Sequence, residues 1–210
     1  MRAMIFFCIS VLILTLSAAI LPINGEEAVY SDTVRLHVIA ASDSERDQAL
    51  KLAVRDGILE LTGNAIQACG SADEAEAALG EMISEIEERA EEILADAGEV
   101  CEVEAQLGYE RYPTRSYEGV SLPAGRYLSL RVKIGEAAGK NWWCVLYPPL
   151  CVDSSRAEEK LSAAGFTPGQ IKLLCESDNP RYVLKFRLLE VIEELLHRAA
   201  DSIGGQQYRR

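Results

Sequence analysis

One short segment, residues 141–153, holds both tryptophans of the chain, two of its six cysteines and an adjacent pair of prolines. Its aromatic and β-branched residues 142–147 form a run of the kind that favours a buried β-strand. Because proline cannot donate a hydrogen bond to a sheet, this strand must end at Pro148 and Pro149. We therefore predict a core strand with a rigid exit. A functional surface built on that exit is the alternative.

The rest of the chain has the composition of one globular domain. The sequence has 210 residues, of which 49% are hydrophobic and 26% are charged, which is enough apolar material for a single core. We predict this domain over residues 33–204 and a polar tail over residues 205–210. The formal net charge of −12 argues against binding to nucleic acid, which needs a basic face, and gives no reason to expect contact with anionic lipid.

The first 25 residues have the pattern of a secretory signal. Arg2 precedes an apolar run over residues 5–21, and Pro22 and Gly25 follow the run, as in the charged, apolar and breaker regions of a signal peptide. The run is close to the lower length limit for a membrane-spanning helix, so an uncleaved signal anchor is the alternative. In both cases we expect the folded body outside the cytoplasm, with membrane contact only through an uncleaved N-terminal segment.

Hydrophobic periodicity predicts an α+β fold. Alternating apolar residues predict strands over residues 33–40, 101–109, 127–134 and 142–147. Helical spacing, with Ser44 and Ser71 as N-caps, predicts helices over residues 44–63, 71–97, 156–164, 167–175 and 180–203. We expect a small, mostly antiparallel sheet of about four strands covered by these amphipathic helices. The last three strands are predicted to form a meander, with the first strand added beside it, and Asp47 to form an i,i+4 pair with Lys51.

Two further segments place polar or aromatic residues where they could serve a site. His37 lies in the first strand, and Asp43 and Ser44 lie at the start of the following helix, where the three could hold an anion or belong to a catalytic centre. The simpler interpretation is that Asp43 and Ser44 satisfy free N–H groups of the helix. The loop over residues 111–126 contains Tyr112 and Tyr117 and is longer than a connection requires, which is typical of functional loops.

The cysteines allow two disulfide bonds outside the cytoplasm. Cys144 and Cys151 flank the two prolines closely enough to bridge, and Cys69 and Cys101 lie at ends of elements that could become neighbours. Spacing alone proves neither pair. Removal of the signal segment leaves five cysteines, so at least one is unpaired in the monomer. No CxxC spacing occurs and neither histidine has a second ligand at helical spacing, so we expect no metal and no cofactor.

Five segments are specific enough to indicate a family: LHVIAASDS (36–44), DQALKLAVRD (47–56), LPAGRY (122–127), KNWWCVLYPPLC (140–151) and KFRLLE (185–190). Together they resemble stage II sporulation protein R, from the signal segment to the last predicted helix. The resemblance implies a signalling protein of endospore formation that is made in the forespore. It would be secreted into the space between the forespore and mother-cell membranes. There it would activate a membrane-bound aspartic protease of the mother cell, which processes pro-sigma-E.

We therefore predict a protein that acts by binding a protein partner and not as an enzyme. The predicted partner-binding residues are His37, Asp43, Ser44, Tyr112, Tyr117, Asn141, Trp142 and Trp143. One alternative is an exported thiol-dependent hydrolase, with Cys144 or Cys151 as the nucleophile and His37 as the base. Another is a structural protein of the septal space, in which the long loop would be dispensable.

Overall fold

The computed structural model describes residues 26–117, 120–151 and 157–175, together with residues 6, 7 and 10 near the N-terminus. In chain order the elements are α1 (Glu26–Ser31), β1 (Val34–Ile39), α2 (Glu45–Ala68), α3 (Ala72–Glu81), α4 (Ile83–Asp96), β2 (Val103–Tyr112), β3 (Arg115–Tyr117), β4 (Val120–Leu122), β5 (Gly125–Ile134), β6 (Asn141–Tyr147), α5 (Ala157–Ala163) and α6 (Pro168–Cys175). The predicted α+β class is confirmed. Most of the predicted signal segment, the predicted helix over residues 180–203 and the tail lie outside the described residues.

The main sheet has four strands in the order β2-β5-β1-β6. β2 and β5 are antiparallel, β1 and β5 are parallel, and β1 and β6 are antiparallel. The predicted meander is therefore wrong, because β1 lies between β5 and β6. Residues 135–140 do not form a hairpin turn but cross the end of β1, where the N–H groups of Ala138 and Gly139 donate to the carbonyls of Ala41 and Ala40.

Helices α2, α3 and α4 cover one face of the sheet, here called the helical face. Its core is formed by inward residues of the four strands and by the apolar stripes of the helices, including Leu36, Leu130, Ile58, Leu79 and Ile86. The predicted long helix over residues 71–97 is wrong in one respect, because the chain tightens at Met82, whose N–H donates to the Leu79 carbonyl, and forms two helices. The two helices can then pack against different parts of the sheet.

The helix starts behave as the sequence predicts. The hydroxyl of Ser44 accepts a hydrogen bond from the N–H of Asp47, and that of Ser71 accepts one from the N–H of Glu74, which satisfies free N–H groups of the first turn. The predicted pair between Asp47 and Lys51 is wrong. Lys51 is buried and donates instead to the Gln48 side chain at 2.6 Å and to the Lys140 carbonyl at 2.9 Å.

The described residues cover the opposite face of the sheet, here called the open face, at one end. There α1, the β3–β4 hairpin, α5 and α6 enclose a second core that includes Val29, Leu122, Tyr127, Val145 and Phe166. The loop predicted over residues 111–126 thus contains a short hairpin that packs on the sheet, between the end of β2 and the start of β5. Among the described residues, no helix has the length and apolar composition that crossing a membrane requires.

Candidate functional site

The open face brings together five of the eight predicted site residues. His37 lies in the central strand β1, directly opposite Trp143 of β6 and Arg131 of β5 in the strand register. Because side chains alternate between the two faces of a strand, these three side chains share the open face. Tyr112, Tyr117 and Asn141 reach the same face from the end of β2, the hairpin and the start of β6.

His37 is the centre of a polar and aromatic cluster, which we call the His37 cluster. Its Nδ1 lies 3.2 Å from Oε2 of Glu110, and its Nε2 lies 2.9 Å from Oδ1 of Asn141. The ring centroid of Trp143 is 5.5 Å from that of the imidazole, and the ring of Tyr112 is 6.3 Å away. Contacts on both ring nitrogens and on the ring hold the imidazole in one orientation.

Glu110 on β2 reaches across β5 to His37 on β1 and also bonds to β5 itself. Its Oε1 accepts a hydrogen bond of 3.1 Å from Nη1 of Arg131. Burial alone would raise the pKa of Glu110, but hydrogen bonds from His37 and Ser129 and the attraction of His37 and Arg131 outweigh it and lower the pKa. Glu110 therefore stays ionised to a lower pH than an ordinary glutamate, and an ionised carboxylate is the stronger acceptor for its two partners.

A fully buried arginine lies behind the cluster. Arg35 on β1 has no exposed surface, and its guanidinium carbon lies 4.2, 5.0 and 5.7 Å from the ring centroids of Tyr112, Tyr127 and Tyr117. Its Nε donates to the Cys144 carbonyl at 3.1 Å and its Nη2 to the Tyr117 hydroxyl at 2.6 Å. These contacts, which we call the Arg35 cage, compensate a charge removed from water by cation–π attraction and hydrogen bonds.

The hairpin is fastened to the sheet over this cage. The Tyr117 hydroxyl, which accepts from Arg35, also donates to the Trp143 carbonyl at 3.3 Å. The guanidinium carbon of Arg115 lies 3.9 Å from the Trp143 ring centroid. Burial raises the pKa of both Tyr112 and Tyr117, so their hydroxyls remain neutral donors. The ring of Trp143 thus contacts Arg115, His37 and Tyr112 together.

The other three predicted site residues lie elsewhere. Asp43 accepts a hydrogen bond of 2.7 Å from the N–H of Lys140, and Ser44 caps α2, so both stabilise the turn between β1 and α2. Trp142 points to the helical face, where it packs against the core between the sheet and helices α2, α3 and α4. The guanidinium carbon of Arg55 lies 4.4 Å from its ring centroid. The side chains of the two adjacent tryptophans therefore lie on opposite faces of the sheet.

The two predicted nucleophiles, Cys144 and Cys151, do not pair with His37. Cys144 and Cys151 are joined in a disulfide bond, as one of the predicted pairings has it, and Cys144 lies on the helical face beside Leu36. The predicted pairing of Cys69 with Cys101 is wrong, since both are free thiols. Burial raises the pKa of each of these thiols, which disfavours the reactive thiolate.

Sequence patterns alone do not find Glu110, Arg131 or Arg35. Glu110 lies one residue beyond the predicted end of β2, and Arg131 is an ordinary outward residue of an alternating strand. The one signal that could have drawn attention to this region is the presence of Arg35, a charged residue, in a mainly apolar strand. Within residues 26–117, 120–151 and 157–175, no group of three or more histidine, cysteine, aspartate or glutamate side chains could hold a metal ion.

The fold and the site define an α+β protein whose four-stranded mixed sheet has a helical face and an open face of ordered aromatic and ionic side chains. The chain belongs to the stage II sporulation protein R family, whose model matches residues 30–157. It is 30% identical to stage II sporulation protein R of Bacillus subtilis strain 168 over 169 residues, which cover 75% of each chain. All eight predicted site residues lie inside the matched range. No solved structure matches the chain.

Proposed function

We propose that this protein is an exported signal of endospore formation that binds and activates a membrane-bound aspartic protease of the mother cell, which then processes pro-sigma-E. Membership of a sporulation family supports the biological setting. The disulfide bond between Cys144 and Cys151 fits a protein that works outside the cytoplasm, in the space between the forespore and mother-cell membranes. In this role the chain acts as a ligand and not as an enzyme.

The observation that carries the proposal is the ordered His37 cluster on the open face. Trp143 is partly exposed and is fixed by Arg115, His37 and Tyr112 before any partner arrives. Rigid aromatic residues beside arginine often dominate the binding energy of protein interfaces, because little side-chain entropy remains to be lost. To activate the protease, this surface must bind the active state more tightly than the idle one.

Co-expression in a non-sporulating host tests the proposal. The chain, the protease and pro-sigma-E are produced together, and cleavage of the propeptide is followed. An export-blocked copy without residues 2–25 is the control. Cleavage that requires the exported chain is the expected result. No cleavage, with all three proteins present and the chain folded, would overturn the proposed function.

A matched pair of variants tests the surface. Trp143→Ala removes the ring on the open face and is expected to reduce cleavage at least ~10-fold, as for a central interface aromatic. Trp142→Ala removes the neighbouring ring on the helical face and is expected to lower stability while cleavage by the folded protein is retained. Circular dichroism and urea unfolding establish that both variants are folded. Equal effects of the two substitutions on cleavage would contradict the assignment of the open face.

A further inference from the structure

Strand β2 forms one edge of the sheet, and its hydrogen-bonding groups alternate between β5 and the outside. The N–H groups of Val103 and Ala105 point outward, because they donate to the side chains of Glu91 at 3.3 Å and Glu87 at 2.8 Å. The register of β2 with β5 has no bulge from Val103 to Tyr112. The backbone groups of Leu107 and Tyr109 therefore point outward as well.

The two halves of this edge differ. The first half is closed by the two α4 glutamates, which occupy the donors that another strand would use. At Leu107 and Tyr109 no hydrogen bond to the outward N–H is present within the part of the chain that the structure describes. Tyr109 is also 58% exposed, the most exposed aromatic side chain of the sheet, and the guanidinium carbon of Arg126 lies 4.9 Å from its ring centroid.

The other edge of the sheet, β6, is occupied at Val145. The carbonyl of Val145 in β6 accepts hydrogen bonds from the N–H groups of Leu150 and Cys151, so the turn inside the disulfide loop bonds back to that strand. Proteins usually protect their edges in such ways, because an unprotected edge pairs readily with another strand. Neither kind of cover is present at Leu107 and Tyr109 among residues 26–117, 120–151 and 157–175.

We infer that the edge of β2 at Leu107 and Tyr109 receives an extended segment of the protein partner as a fifth strand. The inference rests on the proposed function for the partner, the protease, and specifies how it is recognised. Main-chain hydrogen bonds would provide much of the affinity, and the exposed Tyr109 ring would contact an apolar side chain of the added strand. A basic residue of that strand would lie toward the α4 glutamates.

A second copy of the chain is the poorer occupant. Each copy has a formal net charge of −12, so two copies repel each other as they approach. The α4 glutamates beside this edge favour instead a segment that carries positive charge.

Substitution by proline at Tyr109 tests the inference with little disturbance of the fold. Tyr109→Pro removes an N–H that points away from β5 and leaves the β2–β5 hydrogen bonds in place. Tyr109→Thr is the matched control, which loses the ring but keeps the N–H on a β-branched residue. In the co-expression assay we expect Tyr109→Pro to reduce cleavage at least ten-fold below Tyr109→Thr, while both variants are folded by circular dichroism.

Hydrogen exchange of single backbone amides gives a second readout. Addition of the detergent-solubilised protease to the full exported chain is expected to slow exchange at Leu107 and Tyr109, and to change Val103 and Ala105 little, because their N–H groups are already bonded. Slow exchange at Leu107 and Tyr109 in the isolated chain would show that the chain itself or a second copy covers the edge, and would overturn the inference.

The outcomes separate the two proposals. If the unsubstituted chain neither supports cleavage nor binds the protease, the proposed function fails and the partner inferred here fails with it. If the unsubstituted chain supports cleavage and Tyr109→Pro does so equally well, only the edge-strand inference is overturned.

Discussion

Arg35 shows how one buried charge can organise the end of a sheet. Its side chain bonds to β6 through the Cys144 carbonyl and to the hairpin through the Tyr117 hydroxyl, and it stacks among three tyrosine rings. A guanidinium is suited to this position because it is planar, permanently charged and more weakly hydrated than an ammonium group. The Arg35 cage thus fixes where the hairpin sits and, through Tyr117, the backbone of Trp143.

Replacement of Arg35 is therefore expected to be costly. Arg35→Ala leaves a cavity and removes two charge-assisted hydrogen bonds, and should lower the free energy of unfolding by about 3 kcal/mol or more. Arg35→Lys keeps the charge and much of the stem but loses the planar stack and one donor, so a smaller loss of about 1–2 kcal/mol is expected. Urea unfolding of the chain measures both. A loss below about 1 kcal/mol for Arg35→Ala would contradict the cage.

At the scale of elements, the turn after β1 and the crossing segment 135–140 meet at Gly139. A Cβ atom on Gly139 would overlap the carbonyl oxygen of Ser42, which is backbone and cannot move aside as a side chain does. Gly139→Ala should therefore lower the free energy of unfolding by about 2 kcal/mol, as overpacking does.

Gly63 is the matched control within α2, where an added Cβ meets nothing within 4 Å. Gly63→Ala should raise the free energy of unfolding by up to about 1 kcal/mol, because alanine is the better helix former. Thermal and urea unfolding of the two variants should thus give opposite signs. The same sign for both would show that the contact between Gly139 and Ser42 does not limit packing.

The disulfide bond links Cys144 in β6 to Cys151, just after the two prolines. Cys144 and Cys151 are seven residues apart, and a loop of this length corresponds to about 2.5 kcal/mol of chain entropy in the unfolded state. Replacement of both cysteines by serine should lower the free energy of unfolding by about this amount. Cleavage of pro-sigma-E should persist at temperatures where the variant stays folded. Complete loss of cleavage by a folded double variant would instead indicate cysteine chemistry.

At the scale of the whole molecule, the sequence predicts the elements better than their arrangement. Strand alternation and the caps at Ser44 and Ser71 are local, and the structure confirms them. The strand order is not local. It depends on β1 pairing with β5 along one edge and with β6 along the other, and on residues 135–140 crossing the end of β1. Consecutive strands are usually neighbours, which favours the meander that this fold does not adopt.

In the candidate site too, the sequence predicts single residues but not their arrangement. His37, Tyr112, Asn141 and Trp143 are recognisable in the sequence as single residues of suitable chemistry. Their common location on the open face, and the separation of Trp142 from Trp143, depend on strand register. Glu110 and Arg131 gain their importance only because register places them beside His37, so no local pattern distinguishes them from other charged residues of alternating strands.

Two effects of opposite sign contribute to how the stability of the molecule depends on pH. Protonation of surface carboxylates reduces a formal net charge of −12, which relieves repulsion in the folded state. Glu110 acts in the other direction. Because its pKa is lower in the folded protein than the ordinary value of 4.5, its contribution is fully present above that value and is lost as pH falls through the folded pKa.

A comparison of two glutamine variants on the open face separates these effects. Glu110→Gln should lower the free energy of unfolding by about 1 kcal/mol at pH 6, since it weakens the bonds to His37 and Arg131. The difference in free energy of unfolding between Glu110→Gln and the unsubstituted chain should stay constant down to about pH 5 and become smaller below about pH 4.5. Glu104→Gln is the control: its side chain is 58% exposed and paired with Lys133, so no measurable difference is expected. Urea unfolding from pH 6 to about pH 2.5 measures both curves, and a Glu110→Gln difference that persists unchanged into acid would mean that Glu110 is not held ionised by its neighbours.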